Sequence, residues 1–150
     1  MSAIYSDGWY EEMKALINGS EQLGTMAPKT RIVFSLEVMG DGASPYVPKK
    51  SGLYFLLAIE HGKVMEFRPL PARHDGNGLN FRFTAPATVW EGVAAGQRDP
   101  ITSGLRGEIK VRGDMRFLMQ NADAVKLAID LYASQVNTEW PLGRPPYAAA

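Results

Sequence analysis

The side chains that ordinarily carry catalysis are few in this chain and badly spaced for it. Of two histidines in 150 residues, His61 sits in a tight His-Gly turn and His74 in a loop rich in proline and glycine. Neither stands at helical or strand spacing from a second ligand, so no metal site is predicted. His74-Asp75 could act as an acid-base pair on a rim, but adjacent loop side chains are ordinarily solvated. For serine hydrolysis, the nearest approach to Gly-x-Ser-x-Gly is Thr102-Ser103-Gly104, which lacks the first glycine and its strand. Gly40-Asp41-Gly42 leads into proline and lysine rather than opening a helix, so it is no phosphate cradle. Glu11-Glu12, Asp123 and Asp130 fit solvated helix faces. One enzymatic alternative stays open, because a buried carboxylate leaves no linear motif. It is an enzyme on a small apolar substrate, using a carboxylate of raised pKa inside a pocket and a rim histidine or tyrosine.

The elements that would position such groups are better marked than the groups themselves. Thr88 and Glu91 have capping-box spacing, which predicts a short helix from Val89 that lays Trp90, Val93 and Ala94 on one side and stops at Gly96. Asp99-Pro100 restarts a helix, and Gly104 and Gly107 bracket its exit into the alternating strand Glu108 to Arg112, whose dry side is Ile109 and Val111. Asp114 is a cap for the next helix, with a break allowed at Asn121. Helical stepping then collects Leu118, Ala122, Val125, Ile129, Tyr132 and Val136 into one stripe and leaves Leu127 and Leu131 on the opposite side. A second apolar stripe implies a ligand, a covering segment or a partner chain.

Upstream, Ser6 or Asp7 caps a helix with Trp9, Tyr10, Met13, Leu16 and Ile17 at helical spacing, ended by Asn18-Gly19. Ser20 to Thr30 is expected to be a connector. Arg31 to Met39 alternates as a strand with Ile32, Phe34, Leu36 and Val38 on one side and Ser35 and Glu37 on a partly wet face. Gly40 to Gly52 is loop. Leu53 to Glu60 is apolar at both parities, as a central strand must be, and His61-Gly62 turns it into an antiparallel hairpin with Lys63 to Arg68. Pro69, Pro71, Gly76 and Gly78 predict a crossing loop before a fourth strand through Leu79, Phe81 and Phe83. After Asn137 three prolines and a glycine predict an extended tail, with Trp140, Leu142 and Tyr147 to bury against the Leu127 and Leu131 face or a second subunit, and with disorder expected beyond Pro146.

The ordered run Trp90-Glu-Gly, Gly96, Asp99-Pro100, Gly104-Leu-Arg-Gly and Ile109-Lys-Val-Arg-Gly-Asp-Met resembles the sterol carrier protein family of lipid-transfer domains, as a stand-alone member of bacterial type. The resemblance is good from Leu79 to Leu131, about a third of the chain, and is carried by packing and turn residues. It implies an α+β fold with a five-stranded, mostly antiparallel sheet: helix, three strands, crossover, strand, helices, strand and C-terminal helix, around a hydrophobic tunnel. One domain over 1–150 is expected, with 138–150 as its proline-rich tail.

Sixteen basic and sixteen acidic residues cancel, so nothing in the bulk charge calls for nucleic acid or a strongly anionic membrane, although a local patch is compatible with it. Zero cysteines exclude disulfides and zinc-thiolate sites and suit a reducing, cytoplasmic setting; no secretory signal or membrane-length apolar run is visible. The function expected is non-catalytic carriage of a lipid or fatty-acyl chain without a cofactor. Trp90, Val93, Leu105, Met115, Phe117, Leu118, Leu127 and Leu131 are expected as wall or lid, with Phe34, Phe55 and Leu57 on the sheet side and Met119 as a further adaptable wall. Membrane contact would be at most transient. The other alternative is a homodimeric module built on Leu127, Leu131 and the Trp140 segment, without a ligand.

Overall fold

The structure, a computed structural model, describes residues 2–135 and 138–147, the side chains of residues 100–101, 129 and 132–135 excepted. The elements in chain order are β1 (Ser2–Ala3), α1 (Asp7–Asn18), α2 (Glu21–Met26), β2 (Ile32–Met39), β3 (Gly52–Glu60), β4 (Lys63–Leu70) and β5 (Phe81–Pro86). They continue with α3 (Ala87–Ala94), α4 (Pro100–Leu105), β6 (Lys110–Gly113), α5 (Met115–Gln120), α6 (Ala122–Gln135) and β7 (Thr138–Glu139). The main sheet has five strands in the order β4-β3-β2-β5-β6, antiparallel except where β2 runs parallel to β5. This is the α+β layout that the alternating segments imply. A parallel pair of two-residue strands, β1 and β7, ties the two ends of the chain together.

β3 is central because its sequence leaves it no wet side. Phe55 and Leu57 are buried on the helix face, Leu56 and Ala58 on the other. The hairpin after it turns through His61 and Gly62, both at positive φ (53° and 75°), and a Cβ on Gly62 would lie 2.8 Å from the Cα of Gly24. The turn therefore closes directly onto α2. β4 runs on through Pro69 to Leu70; proline is tolerated there because β4 is an edge strand and its amide is not needed by a neighbour.

α1 starts at Ser6, whose hydroxyl accepts from the Trp9 amide at 3.3 Å. It packs Trp9, Tyr10 and Met13 against the sheet, with the Tyr10 ring 5.2 Å from those of Phe55 and Phe67. Gly19 ends it in the right-handed region rather than as a left-handed stop. The Ser20 to Thr30 connector contains α2, started by a Ser20 hydroxyl that accepts from the Leu23 amide and anchored by the buried Leu23. Six residues are too few for periodicity to announce such a helix.

Three further expectations are corrected. Ser35 and Glu37 are buried, because the connection between β4 and β5 returns across their face of the sheet and brings Arg73 to Glu37. Thr88 and Glu91 make no capping box. The Thr88 amide and hydroxyl both donate to Asp41, at 3.2 and 2.5 Å, so the start of α3 is capped from a distant loop. The break allowed at Asn121 is present, its side chain donating to the Phe117 carbonyl of α5, but the apolar stripe does not continue across it, since Ala122 is exposed. Of the other stripe residues, Val136 and the side chains of Ile129 and Tyr132 lie outside the described residues.

Candidate functional site

The helix-facing side of the sheet is apolar across its width. Register places Phe34 beside Leu57 on one strand and Phe81 on the other, and Leu36 beside Phe55 and Phe83. Phe34 meets Phe83 edge-on with ring centroids 5.5 Å apart, and Phe81 stacks on Phe83 at 6.1 Å and on Phe117 of α5 at 6.2 Å. Phe81 is buried, but Phe34, Leu36, Phe83, Val111, Phe117 and Leu118 are only half-buried. Overhead, α6 lies against α1, α2 and α3. The result is an incompletely covered aromatic layer between β2, β5 and the short helix α5, which has no fully buried residue.

The expected wall residues divide within this frame. Phe55, Leu57 and Val93 are buried, and Phe34 and Trp90 pack half-buried against the cluster that contains Phe55 and Leu57. The Trp90 indole also donates to the Glu37 carbonyl at 3.0 Å, pinning α3 to β2. Phe117 and Leu118 line the α5 side, and Leu127 and Leu131 are half-buried on α6. Met115 and Leu105 face solvent, 46% and 85% exposed. Sequence reasoning passed over Phe81 and Phe83 as strand residues; the register of β5 beside β2 puts them on the face of Phe34, and no spacing along the chain records that.

A second constellation was not expected. Glu91 is wholly buried, with 0% exposure. Tyr5 and Ser44 each donate to its Oε2 at 2.8 Å, and the Tyr147 hydroxyl donates to Oε1. Burial pushes this carboxyl above the usual glutamate range, aided by nearby Asp41, and the hydroxyls of Tyr147, Tyr5 and Ser44 offset only part of that. Burial and the bond to Glu91 likewise push the Tyr147 phenol up. The tail reaches Glu91 through a series of anchors: Tyr46 donates to the Gly143 carbonyl at 2.8 Å, Arg144 to the Ala95 carbonyl at 2.7 Å, and Gln97 to the Pro145 carbonyl. Trp140 packs 6.1 Å from Tyr46 while Leu142 stays exposed, so the tail docks on α3 and the 40–52 loop. No local signal could have shown this, because the four residues lie at positions 5, 44, 91 and 147.

Beside the clasp opens a cleft of about 500 Å³ whose walls include Thr88, Gln97, Arg98, Asp99, Arg106 and Tyr147. Its lining is mixed polar and apolar, and none of the expected wall residues contributes to it. On the far face of the sheet Glu37 accepts from Arg73 at 3.0 Å, from Thr84 at 2.8 Å and from Arg82. Burial pushes Glu37 up, but those bonds and the Arg82 charge outweigh it and hold the carboxyl below the usual range. His74 is fixed within its loop, its Nδ1 accepting from the Gly76 amide at 3.0 Å. Among the described residues no group of three or more histidines, cysteines or carboxylates could hold a metal. No described helix is long and apolar enough to cross a membrane.

Fold and site together define a small α+β domain with a half-open aromatic layer between its sheet and α5. The chain belongs to the SCP-2 sterol transfer family, whose model matches residues 13–126. The structure of a sterol carrier protein 2 superposes with a TM-score of 0.74 at 20% identity, covering 87% of this chain and 98% of that one. A conserved hypothetical protein from Thermus thermophilus gives 0.74 at 19% identity over 91% of each chain. The sterol carrier protein domain 2 of Helicoverpa armigera gives 0.51 at 19% identity, covering 81% and 85%. At these identities the likeness is one of fold. No curated protein sequence matches the chain significantly.

Proposed function

We propose that this protein is a non-catalytic carrier that takes a lipid, fatty-acyl chain or similar hydrophobic molecule into the aromatic layer between the sheet and α5 and α6. The observation that carries the reading is the half-burial of Phe34, Leu36, Phe83 and Phe117 in a layer flanked by both sheet and helices. Side chains that serve only packing would be expected to close over one another; membership of a sterol transfer family supports the same reading. Each methylene buried contributes about 0.8 kcal/mol, so a ten-carbon chain gains roughly 8 kcal/mol, enough for micromolar affinity only if association costs are already met. Longer acyl chains are the better fit. Few polar groups face the layer, so selectivity among chains would be loose. A single domain with a proline-rich tail, in a reducing cytoplasmic setting, suits the cysteine-free composition.

Glu91 has the raised pKa that the enzymatic alternative required. Its three hydroxyl partners and complete burial suit a structural clasp better, since no substrate atom can reach it without displacing Tyr147 or Tyr5.

The test is native mass spectrometry of the purified protein, with organic extraction and identification of whatever is released, followed by titration with a fluorescent fatty acid. A lipid bound near one-to-one is the expected result. An empty protein that takes up no fatty acid would sink the proposal, and a dimer under those conditions would favour the interaction module. Leu131→Asp should weaken uptake while leaving the circular dichroism spectrum native. Loss of fold would place Leu131 in the core instead, and unchanged uptake would remove it from the wall.

A further inference from the structure

The cleft beside the Glu91 clasp has about 500 Å³, the size that small-molecule sites occupy. It lies between α3, α4 and the tail. Ala43, Gly92, Pro145, Pro146 and the Tyr147 ring give it apolar surface. Gly92 keeps α3 bare on this side, since a Cβ there would stand 2.8 Å from the Arg98 Cδ. The tail forms a fixed wall: Pro145 is buried with its carbonyl accepting from Gln97, and the Tyr147 hydroxyl donates to Glu91.

Most polar groups on the cleft already have partners within the chain. Thr88 donates to Asp41 at 2.5 Å, Thr102 to Asp99 at 3.0 Å, and Arg98 holds Glu108 at 2.6 Å. Two lining residues differ. Ser103 is only 2% exposed, yet its hydroxyl makes no hydrogen bond among the described residues, where a withdrawn hydroxyl ordinarily has one. Arg106 is exposed and has no ion-pair partner among the described residues. The Arg106 amide donates to the Thr102 carbonyl at 3.0 Å, so the helical turn runs on to Arg106 and sets it one turn after Ser103, on the same side. Both free groups donate, and a guanidinium cannot accept.

We infer that this cleft binds a small organic acid, its carboxylate between the Ser103 hydroxyl and the Arg106 guanidinium and its apolar body against Gly92, the two prolines and the Tyr147 ring. An arginine that accepts two carboxylate oxygens at once gives such a head both charge and orientation. An amine fits worse, because the acids on the cleft, Asp99 and Glu108, are engaged by Thr102 and Arg98. Inorganic phosphate would use the donors and leave the apolar walls wet. A long acyl chain needs more apolar surface than these walls offer, and Phe34, Phe83 and Phe117 do not line them. Binding here is therefore independent of carriage in the aromatic layer.

The test is titration of the isotope-labelled full chain with benzoate, benzylamine and inorganic phosphate, followed by amide NMR. Benzoate should bind saturably and move the amides of Gly92, Gln97, Ser103 and Gly104, with the other two probes weaker. Arg106→Gln should weaken benzoate about tenfold, as loss of a charge-assisted hydrogen bond does, and Ser103→Ala about fivefold. Arg106 is exposed, so its variant should melt like the parent and decides the matter even where Ser103→Ala lowers Tm. Uptake of a fluorescent fatty acid by Arg106→Gln should equal that of the parent. No saturable benzoate binding, benzylamine bound as tightly, or an affinity indifferent to Arg106 would overturn the inference. Benzoate shifts centred on Phe81, Phe83 and Phe117 would overturn it too, by placing the acid in the aromatic layer.

Discussion

Glu37 and Glu91 are both withdrawn from water, and the chain compensates them differently. Glu37 has guanidinium partners; the side chains that donate to Glu91 among the described residues are hydroxyls. Arg82 is 13% exposed and Arg73 61%, so their contributions should separate. Arg82→Ala, which removes the better buried of the two guanidinium partners, should cost up to about 3–5 kcal/mol in urea unfolding, and Arg73→Ala no more than about 1 kcal/mol. Equal losses would show that the two arginines share the charge. For Glu91 the raised folded pKa means that its favourable contribution is complete on the acid side of its unfolded titration and is lost as pH rises through the folded value. Glu37 and Asp41, held low by their donors after burial is offset, contribute in the opposite sense and lose stability as pH falls. Glu91→Gln should therefore gain on the parent at neutral pH, with the advantage shrinking on acidification. A difference independent of pH in paired thermal melts would contradict the ionised clasp.

At the scale of elements, turns and caps decide where the aromatic layer can open. α3 ends in a glycine-closed turn in which the Gln97 amide bonds the Gly92 carbonyl and the Gly96 amide bonds the Val93 carbonyl, with Gly96 at φ 73°. That turn ends α3, and α5 reaches the layer further along the chain through the Phe117 ring on Phe81. The β3 to β4 hairpin is equally constrained, since its Gly62 is at positive φ and touches α2. Gly62→Ala should cost on the order of 1–2 kcal/mol from the backbone alone, with more from the approach to Gly24. Hydrogen exchange should show the loss first in α2 and the hairpin. Protection that falls evenly over the sheet would place the cost elsewhere.

For the molecule as a whole, the two terminal segments are joined to one another beside α1. β1 pairs with β7, the Trp9 indole donates to Thr138 at 3.0 Å, and Tyr5 and Tyr147 meet on Glu91. The fold is held shut on that side and lightly covered on the α5 side. A ligand that enters the layer binds the folded state alone, so at about a hundredfold excess over its Kd it should add roughly 2.7 kcal/mol. For a chain of this size that amounts to a rise of about 5–11 °C in Tm. Calorimetry with a long-chain fatty acid measures it, and an unchanged Tm at saturating concentration would count against carriage in the layer.

The sequence by itself determined what depends on near neighbours along the chain. The alternation of β2, the dryness of β3, the His61-Gly62 turn, the caps at Ser6 and Asp114, the break at Asn121 and the stop at Gly96 are all settled by backbone sterics and hydrogen bonds spanning a few residues. The packing residues of the Trp90 to Met115 run were enough to indicate the family. Only the tertiary structure decided which polar groups leave water. Ser35 and Glu37 look wet in a strand pattern until the crossing loop returns over them, and Thr88 looks like a cap until Asp41 arrives to accept from it. Glu91 acquires its partners from three other segments at once. A buried polar group is stable only with its partner in place, and where that partner is distant in the chain, no local pattern records the pairing.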